Sequence, residues 1–397
     1  MQNNKPKVVF TFVEAGFGHI MPAKAICDAF ENKYGKECEV VRWNIFSDSS
    51  DPVIQKYCRA IYGWTKETSQ SKLLYAVEGL SYKIPSKLTL KFLDIKFRKA
   101  KKKIMQSIVD VAPDLMVSTY YSPSHFASEC NKYNLTDTLV ATYTPDPVIY
   151  PAWDRRANLF FVNNQSQYKR AIRTGFNESS LRLIPCVLRK EISQTSPDKV
   201  TAKINLGLDK GKKTVIYALG AYGTKKDKKH LKTLLLANLD ANIVVICGKN
   251  QSVYDYCKKL VEEKNLKNVY VVGFVQNIFE YLRAGDVFLG KSGSNSLLEA
   301  RYFNLPILVT ACASPLETLT AKYYINNVGG CKKVLSSRKM IKAVKNIFAN
   351  PSTCESKVEA NQLCDLTSAE KIADELYFAL KRKLENVQGC KGENCGK

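Results

Sequence analysis

One stretch of sequence, residues 286–309, constrains the fold of this chain more than any other. Its apolar run Val287–Leu289 predicts a buried strand, and the small polar residues that follow predict a turn. A helix is expected to begin near Ser296 with Glu299 in its first turn, and a second strand, Ile307–Thr310, comes next. Units of this kind build parallel sheets. The turn between strand and helix presents backbone N–H groups that suit a phosphate.

The chemistry expected of this turn is nucleotide-diphosphate binding. The carboxylate of Glu299 would lie one turn deeper, within reach of a ribose diol. The turn residues expected to contribute to the site are Ser292, Gly293, Ser294, Asn295 and Ser296.

Strand-like runs alternate with helical patterns along the chain, which predicts an α/β fold with parallel sheets. The expected strands are Val8–Val13, Cys38–Trp43, Leu115–Ser118, Leu139–Tyr143, Leu159–Val162, Lys213–Gly220, Ala241–Cys247, Val269–Val272, Val287–Leu289 and Ile307–Thr310. A polar linker near residue 194 predicts Rossmann-like domains at 1–194 and 195–368. An amphipathic helix at 369–387 and a disordered tail at 388–397 are expected to follow.

The composition is strongly basic, with a formal net charge of +23 at pH 7. Such a surface suits nucleic acid or an anionic membrane. No apolar run approaches the roughly 18 residues of a membrane span, and no apolar signal segment precedes the first strand. The 13 cysteines form no Cys-x-x-Cys pair, so reduced thiols of a cytosolic protein are expected rather than disulfides or zinc.

The distribution of the charge favours the membrane over nucleic acid. Residues 83–103 contain nine basic residues and one acid, interleaved with leucine, isoleucine and phenylalanine. This mixture is typical of a segment that docks on anionic lipid, and no nucleic-acid-binding motif accompanies it. We therefore predict a peripheral protein on the cytoplasmic, inner face of the membrane that binds no nucleic acid. The expected contacts with anionic membrane lipids are Trp64, Phe92, Phe97, Lys99, Lys101, Lys102 and Lys103.

Two loops of the first half carry side chains that suit catalysis. Gly16-Phe-Gly18-His19 follows the first strand, and its glycines permit a tight turn and close approach to a ligand. Asp146 follows the strand Leu139–Tyr143. His125 either lines the side of a site where an acceptor substrate binds or is a histidine at a helix start whose hydrogen bonds are satisfied within the protein. We expect the second.

The order of these motifs resembles the GT-B glycosyltransferases, most closely family 28. That family includes the diacylglycerol galactosyl- and glucosyltransferases and the lipid I N-acetylglucosaminyltransferase. Its Gly-x-Gly-His loop matches the loop that ends at His19, and its Thr-Asp…His-Pro-x-Trp segment matches Asp146, Pro151 and Trp153, with Tyr150 where a histidine is common. The resemblance spans residues 8–330. It implies two Rossmann-like domains facing across a cleft, with the C-terminal helix crossing back to the first.

In that resemblance the second half holds the sugar donor. The 292–296 turn would meet the diphosphate and Glu299 the ribose, while Gly220 would approach the diphosphate and Val275 would face the uracil. The segment that holds the hexose contains Glu317 and Thr318. Leu316 and Thr320 replace the glutamine and asparagine common in that segment, which leaves UDP-galactose and UDP-glucose both open.

The reaction that the resemblance implies is inverting transfer of a hexose from a UDP-sugar to diacylglycerol. A base must take the acceptor proton, and His19 and Asp146 are both candidates, with Gly16, Gly18 and Trp153 on the acceptor side. No Asp-x-Asp motif ends a strand, so neither a metal nor another cofactor is expected; backbone N–H groups and a helix dipole would stabilise the diphosphate. The alternatives are an N-acetylglucosaminyltransferase on a polyprenyl-linked acceptor and a non-catalytic nucleic-acid-binding or sugar-nucleotide-sensing protein on the same scaffold.

Overall fold

The computed structural model describes residues 5–13, 17–84, 86–220 and 223–393. The chain forms two compact units, each built around a six-stranded parallel sheet. The first unit comprises residues 1–66, 79–189 and 365–397, and the second comprises 67–78 and 190–364. Residues 67–78 therefore belong to the second unit, although the sequence analysis assigned them to the first domain.

The strands confirm the alternating pattern of the sequence. They are β1 Lys7–Thr11, β2 Glu39–Trp43, β3 Leu115–Ser118, β4 Leu139–Tyr143, β5 Leu159–Val162, β6 Leu181–Leu183, β7 Cys186–Val187, β8 Lys213–Ala218, β9 Ala241–Ile246, β10 Val269–Val272, β11 Val287–Lys291, β12 Ile307–Ala311, β13 Cys331–Lys333 and β14 Cys364–Asp365. Every strand expected from an apolar run is present. The additional strands β6, β7, β13 and β14 are too short to produce a sequence pattern.

Helices follow most of the strands, as parallel sheets require. They are α1 Phe17–Tyr34, α2 Pro52–Gln70, α3 Lys72–Ser81, α4 Ser86–Lys96, α5 Arg98–Val111, α6 Tyr121–Lys132, α7 Gln165–Arg173, α8 Lys199–Asn205, α9 Asp227–Leu235, α10 Gln251–Glu263, α11 Ile278–Ala284, α12 Ser294–Tyr302, α13 Pro315–Tyr323, α14 Ser337–Ala349, α15 Ala360–Leu363 and α16 Ser368–Glu393. Within the described ranges, no helix has the length and apolar character that crossing a bilayer requires. α16 continues through Glu393, so the disordered tail expected from residue 388 is wrong for its described part.

The strand order gives each sheet a topological switch point. In the second unit the order is β10-β9-β8-β11-β12-β13, so the chain builds outward from β8 in one direction and then from β11 in the other. In the first unit the order is β2-β1-β3-β4-β5-β6, and the reversal lies between β1 and β3. Ligands of open α/β sheets bind outside the carboxyl ends of the strands at such points. The two places to search for a site are therefore the loops after β8 and β11 and the loops after β1 and β3.

Apolar side chains cover both faces of the first sheet. Along β3, Met116 belongs to the core on one face, and its neighbours Leu115 and Val117 belong to the core on the other. This alternation follows from the period of two in a strand. α16 packs against α1, where the rings of Tyr34 and Tyr377 stack with 3.9 Å between their centroids.

Candidate active site

The turn after β11 lies at the switch point of the second unit. Gly293 is the N-cap of α12, with φ of −69° and ψ of 132°. The first backbone N–H groups of α12 therefore have no acceptor inside the helix, and the helix dipole adds partial positive charge there. Residues 293–296 are half-buried. The arrangement suits an anionic group such as a diphosphate.

Among the predicted site residues from Ser292 to Glu299, these two are buried. The hydroxyl of Ser292 donates to Sγ of Cys312 at 3.2 Å, and its backbone N–H donates to Ala311, so the side chain is engaged inside the protein. Glu299 is 8 % exposed. It lies in the second turn of α12 rather than the first, because the helix begins at Ser294 and not near Ser296. Cα–Cβ bonds in a helix tilt toward its N-terminus, which directs Glu299 back toward the turn.

A charged cluster stands at the same switch point. Nζ of Lys291, at the end of β11, donates to Oε1 of Glu317 at 2.5 Å. The other carboxylate oxygen of Glu317 accepts the backbone N–H of Ala313 at 2.7 Å. Gly220 follows β8 with φ of +70°, and a Cβ there would lie 2.9 Å from Cε of Lys291. Glycine suits this position for two reasons, its left-handed backbone and the close approach of the lysine.

Two further residues predicted to bind the donor, Thr318 and Val275, lie elsewhere in the second unit. Thr318 is in the first half of α13, and its Oγ1 lies 2.5 Å from the hydroxyl of Tyr75. Val275 is half-buried in the loop after β10. β10 lies three strand positions from β11, a span of about 14 Å at the usual strand spacing. Because the strands are parallel, the loops after β8, β10 and β11 share one edge of the sheet.

His19 lies at the switch point of the first unit, near the start of α1. Its Nδ1 is 2.8 Å from the carbonyl oxygen of Thr119, and the Thr119 hydroxyl donates to the His19 carbonyl, also at 2.8 Å. Because a carbonyl can only accept, Nδ1 carries a proton, and Nε2 has the lone pair when the ring is neutral. The ring of Tyr120 meets the imidazole edge-on, with 5.1 Å between the centroids.

Asp146 lies in the loop after β4, the strand beside β3. Its side chain is half-buried, and its backbone carbonyl accepts from the side-chain amide of Asn163 at 3.3 Å. An added Cβ at Gly18 would meet nothing within 4 Å, so the space beside this glycine is open. Gly16 lies outside the described residues. The start of α1, with Gly18 and His19, and the loop that carries Asp146 therefore share one edge of the first sheet.

His125 is a satisfied histidine at the start of α6, as predicted. Its Nδ1 is 2.7 Å from Oδ2 of Asp154, and its Nε2 is 2.8 Å from Oδ1 of Asp94. Burial disfavours the imidazolium, but the hydrogen bonds with the two carboxylates outweigh it and raise the pKa of His125. The histidine thus ties α4 to α6 and to the loop after β4.

Lys101 belongs to the same buried network, and its predicted role in membrane contact is wrong. Its side chain is 14 % exposed, and Nζ pairs with Asp94 at 2.6 Å and also with Glu129. Arg156 pairs with Glu129 at 2.6 Å. Asp94, His125 and Glu129 are close enough to hold a metal ion. The lysine and arginine already neutralise the carboxylates of this cluster, so it needs no cation.

Two aromatic residues predicted at the membrane or acceptor surface contact the first core. Trp153 is 4 % exposed and meets the edge of Phe160, with 5.8 Å between the ring centroids. Phe97 is half-buried and packs on Tyr57, with 4.8 Å between the centroids. Burial in the first core contradicts a surface position for Trp153, whereas Phe97, which packs against that core and is only partly buried, stays a prediction.

The exposed apolar residues of this region lie on two helices. On α4, Leu88, Phe92 and Ile95 are at least half exposed and have the i, i+4, i+7 spacing of one helix face. On α3 the same spacing holds for Leu73, Val77 and Leu80. Lys99, Lys102 and Lys103 on α5 are also exposed, and Trp64 is at the border of exposure with Nζ of Lys96 5.8 Å from its ring.

Lys291 and Tyr75 are residues of this site that the sequence analysis missed. A charged residue at the carboxyl end of a buried apolar strand, as Lys291 is, is a local signal that could have identified it. Tyr75 meets α13 only through tertiary packing, across 243 positions of sequence, and no local pattern predicts that contact.

Each half of the chain matches a known family model. Residues 19–185 match the family model described as monogalactosyldiacylglycerol (MGDG) synthase. Residues 200–363 match the model described as glycosyl transferases group 1.

Individual proteins show the same likeness over most of the chain. A processive diacylglycerol beta-glucosyltransferase of Bacillus pumilus is 22 % identical over 89 % of this chain and 90 % of its own length. Monogalactosyldiacylglycerol synthase 1 of Arabidopsis thaliana is 22 % identical over 95 % of this chain and 72 % of its own length. Among solved structures, MurG of Acinetobacter baumannii superposes with a TM-score of 0.58 at 12 % identity, covering 94 % of this chain and 99 % of MurG. The last likeness concerns the fold alone.

Proposed function

Since this chain belongs to the GT-B glycosyltransferases and is a sugar-transferring enzyme, we propose that it transfers a hexose from a UDP-sugar to diacylglycerol, giving a β-glycosyldiacylglycerol. The names of relatives that span most of the chain support the acceptor. The observation that carries the proposal is the switch point of the second unit. A helix N-terminus, a lysine–glutamate pair and a buried glutamate come together there.

In this proposal the second unit binds the donor. The diphosphate meets the N–H groups at the start of α12, with the ammonium of Lys291 beside them. Glu299 accepts hydrogen bonds from the ribose hydroxyls, and Glu317 and Thr318 face the hexose. The fixed dipoles and the lysine supply the charge that a divalent cation would otherwise provide, so transfer proceeds without a metal.

The first unit provides the base in this proposal. Nε2 of His19 takes the proton of the acceptor hydroxyl while that oxygen bonds to the anomeric carbon. The bond from the anomeric carbon to the diphosphate oxygen breaks on the opposite face, and UDP leaves with the electron pair. The Nδ1–H···O bond to Thr119 holds the imidazole in the required tautomer and stabilises the imidazolium that forms. A single displacement inverts the α linkage of the donor. Asp146 is the second titratable group at this edge and the alternative base.

Docking at the inner face of the membrane brings the enzyme to its acceptor. The exposed faces of α3 and α4 supply apolar side chains, and Lys99 and Lys102 supply positive charge. Shallow insertion of side chains such as Phe92 and attraction to anionic lipids together give reversible binding.

The activity test offers radiolabelled UDP-galactose and UDP-glucose separately, with phosphatidylglycerol vesicles that do or do not contain diacylglycerol. We expect a glycolipid that forms only when diacylglycerol is present and that a β-glycosidase cleaves. A parallel reaction offers UDP-N-acetylglucosamine with a polyprenyl-linked acceptor, and transfer there instead would support the alternative enzyme. Failure to transfer any sugar to diacylglycerol would contradict the proposal.

The membrane test reverses Lys99 and Lys102 together to glutamate and leaves Lys101 intact, because that residue is structural. Each basic residue near an anionic bilayer contributes about 1 kcal/mol, so the change should weaken vesicle binding at least about 30-fold. A matched control reverses Lys229 and Lys232, an exposed pair with the same i, i+3 spacing on α9. Equal sedimentation of the two variants with anionic vesicles would contradict docking through α5.

A further inference from the structure

Tyr75 joins an amphipathic helix to the donor site. The hydroxyl of Tyr75 donates to the carbonyl of Ser314 at 3.3 Å, and the hydroxyl of Thr318 lies 2.5 Å away, placed to donate back. Ser314 is the N-cap of α13 and accepts the N–H of Glu317 at 3.2 Å. Burial is the largest cause that raises the pKa of Tyr75, so the hydroxyl keeps its proton at neutral pH. One side chain of α3 therefore contacts both the cap and the first turn of the helix that carries Glu317.

The opposite face of α3 points to solvent. Leu73 is 73 % exposed, and Val77 and Leu80 continue the same face. Tyr75 is two residues from Leu73, about 200° around the helix, so it lies on the other side. α3 has ten residues, and none is fully buried. Because an isolated helix of this length is marginal in water, packing must stabilise it. On the Tyr75 side α13 provides a packing partner, whereas the leucine side is exposed.

We propose that Tyr75 is a positioning residue that couples membrane docking to UDP-sugar binding. The proposal rests on the function proposed above and adds a regulation of the same site. A bilayer that buries Leu73, Val77 and Leu80 stabilises α3, and the ordered helix holds Ser314 and Thr318 through Tyr75. The first turn of α13 is then fixed in the arrangement that receives the hexose. By linkage, the donor must strengthen membrane binding by the same factor.

The positive charge of the chain indicates which class of lipid couples membrane docking to UDP-sugar binding. With a net charge of +23, an anionic bilayer is the surface that attracts this protein, whereas a neutral bilayer lacks the electrostatic attraction. Vesicles of phosphatidylcholine with phosphatidylglycerol, without diacylglycerol, are therefore the probe. They measure the coupling without turnover.

The experiment measures the affinity for the UDP-hexose by calorimetry with and without these vesicles, because the hexose is the part of the donor that the first turn of α13 contacts in the proposal. For the parent protein we expect at least about fivefold tighter binding of the UDP-hexose on vesicles, the lower end of common allosteric couplings. Tyr75→Phe keeps the ring and loses the hydroxyl, so it should still sediment with vesicles while its enhancement falls below about twofold. Tyr133→Phe, which alters an exposed tyrosine at the end of α6, should keep the full enhancement.

A double-mutant cycle tests the bond itself. Thr318→Val should also reduce the gain in UDP-hexose affinity that vesicles produce. Combining it with Tyr75→Phe should have little further effect, because both changes break the same hydrogen bond. In activity assays on vesicles, Tyr75→Phe should raise KM for the UDP-hexose and leave kcat near that of the parent.

Two results would overturn the coupling. One is a parent affinity for the UDP-hexose that vesicles do not change. The other is a Tyr75→Phe protein whose affinity falls equally with and without vesicles, which would indicate a purely structural role. Failure of the proposed function is distinguishable, because it would show as an absence of glycolipid product while UDP and vesicle binding are still measured.

Discussion

Replacing Gly220 by alanine tests the cluster of Lys291 and Glu317. The left-handed conformation of Gly220, with φ of +70°, costs a non-glycine residue about 1–2 kcal/mol. The added Cβ would lie 2.9 Å from Cε of Lys291, so the flexible lysine must move. Its movement breaks the partly exposed pair with Glu317, which contributes at most about 1 kcal/mol. The expected loss in the free energy of unfolding is therefore about 1–3 kcal/mol.

Gly207→Ala is the matched control for this change. Gly207 has φ of +66°, and a Cβ there would meet nothing within 4 Å, so it carries the backbone cost alone. Urea unfolding should give losses for the two variants that agree within about 1 kcal/mol. The KM for the UDP-hexose should rise about 10-fold or more only in Gly220→Ala, because a charged hydrogen bond worth about 1.5–3 kcal/mol is displaced. If Gly220→Ala loses the expected stability and keeps its KM, Lys291 does not contact the donor.

Three further outcomes are expected. Glu299→Gln should weaken UDP binding by about 1–3 kcal/mol in calorimetry through the loss of charged hydrogen bonds to the ribose, and an unchanged affinity would refute that role. His19→Gln should lower turnover on the order of 100-fold while UDP affinity stays the same, whereas near-normal turnover would move the base to Asp146. Because hydrogen bonds with Asp154 and Asp94 raise the pKa of His125, its contribution to stability is full below about pH 6.5 and is lost as pH rises through the raised value. The difference in unfolding free energy between the parent and His125→Gln should therefore narrow with rising pH, and a constant difference would contradict this.

The sequence by itself determined the strands of both sheets and the position of the turn that is predicted to bind the donor. Central parallel strands are buried on both faces, so each appears as a nearly continuous apolar run, as in Leu115–Ser118 and Ala241–Ile246. Gly220 and the turn at 292–296 follow such runs directly, and a ligand site at the carboxyl end of a strand is a local feature. These elements could be predicted because the residues that produce them are neighbours in sequence.

Only the tertiary structure decided which residues of the basic, aromatic region face solvent. Lys101 and Lys102 are adjacent and chemically identical, yet Lys101 pairs with Glu129 on another helix while Lys102 is exposed. Likewise, Phe97 packs against the first core while Phe92 is 62 % exposed. Composition states how much charge and apolar surface a segment carries. The partner that each side chain meets depends on the orientation of its helix against distant parts of the chain, and local periodicity holds no information about that contact.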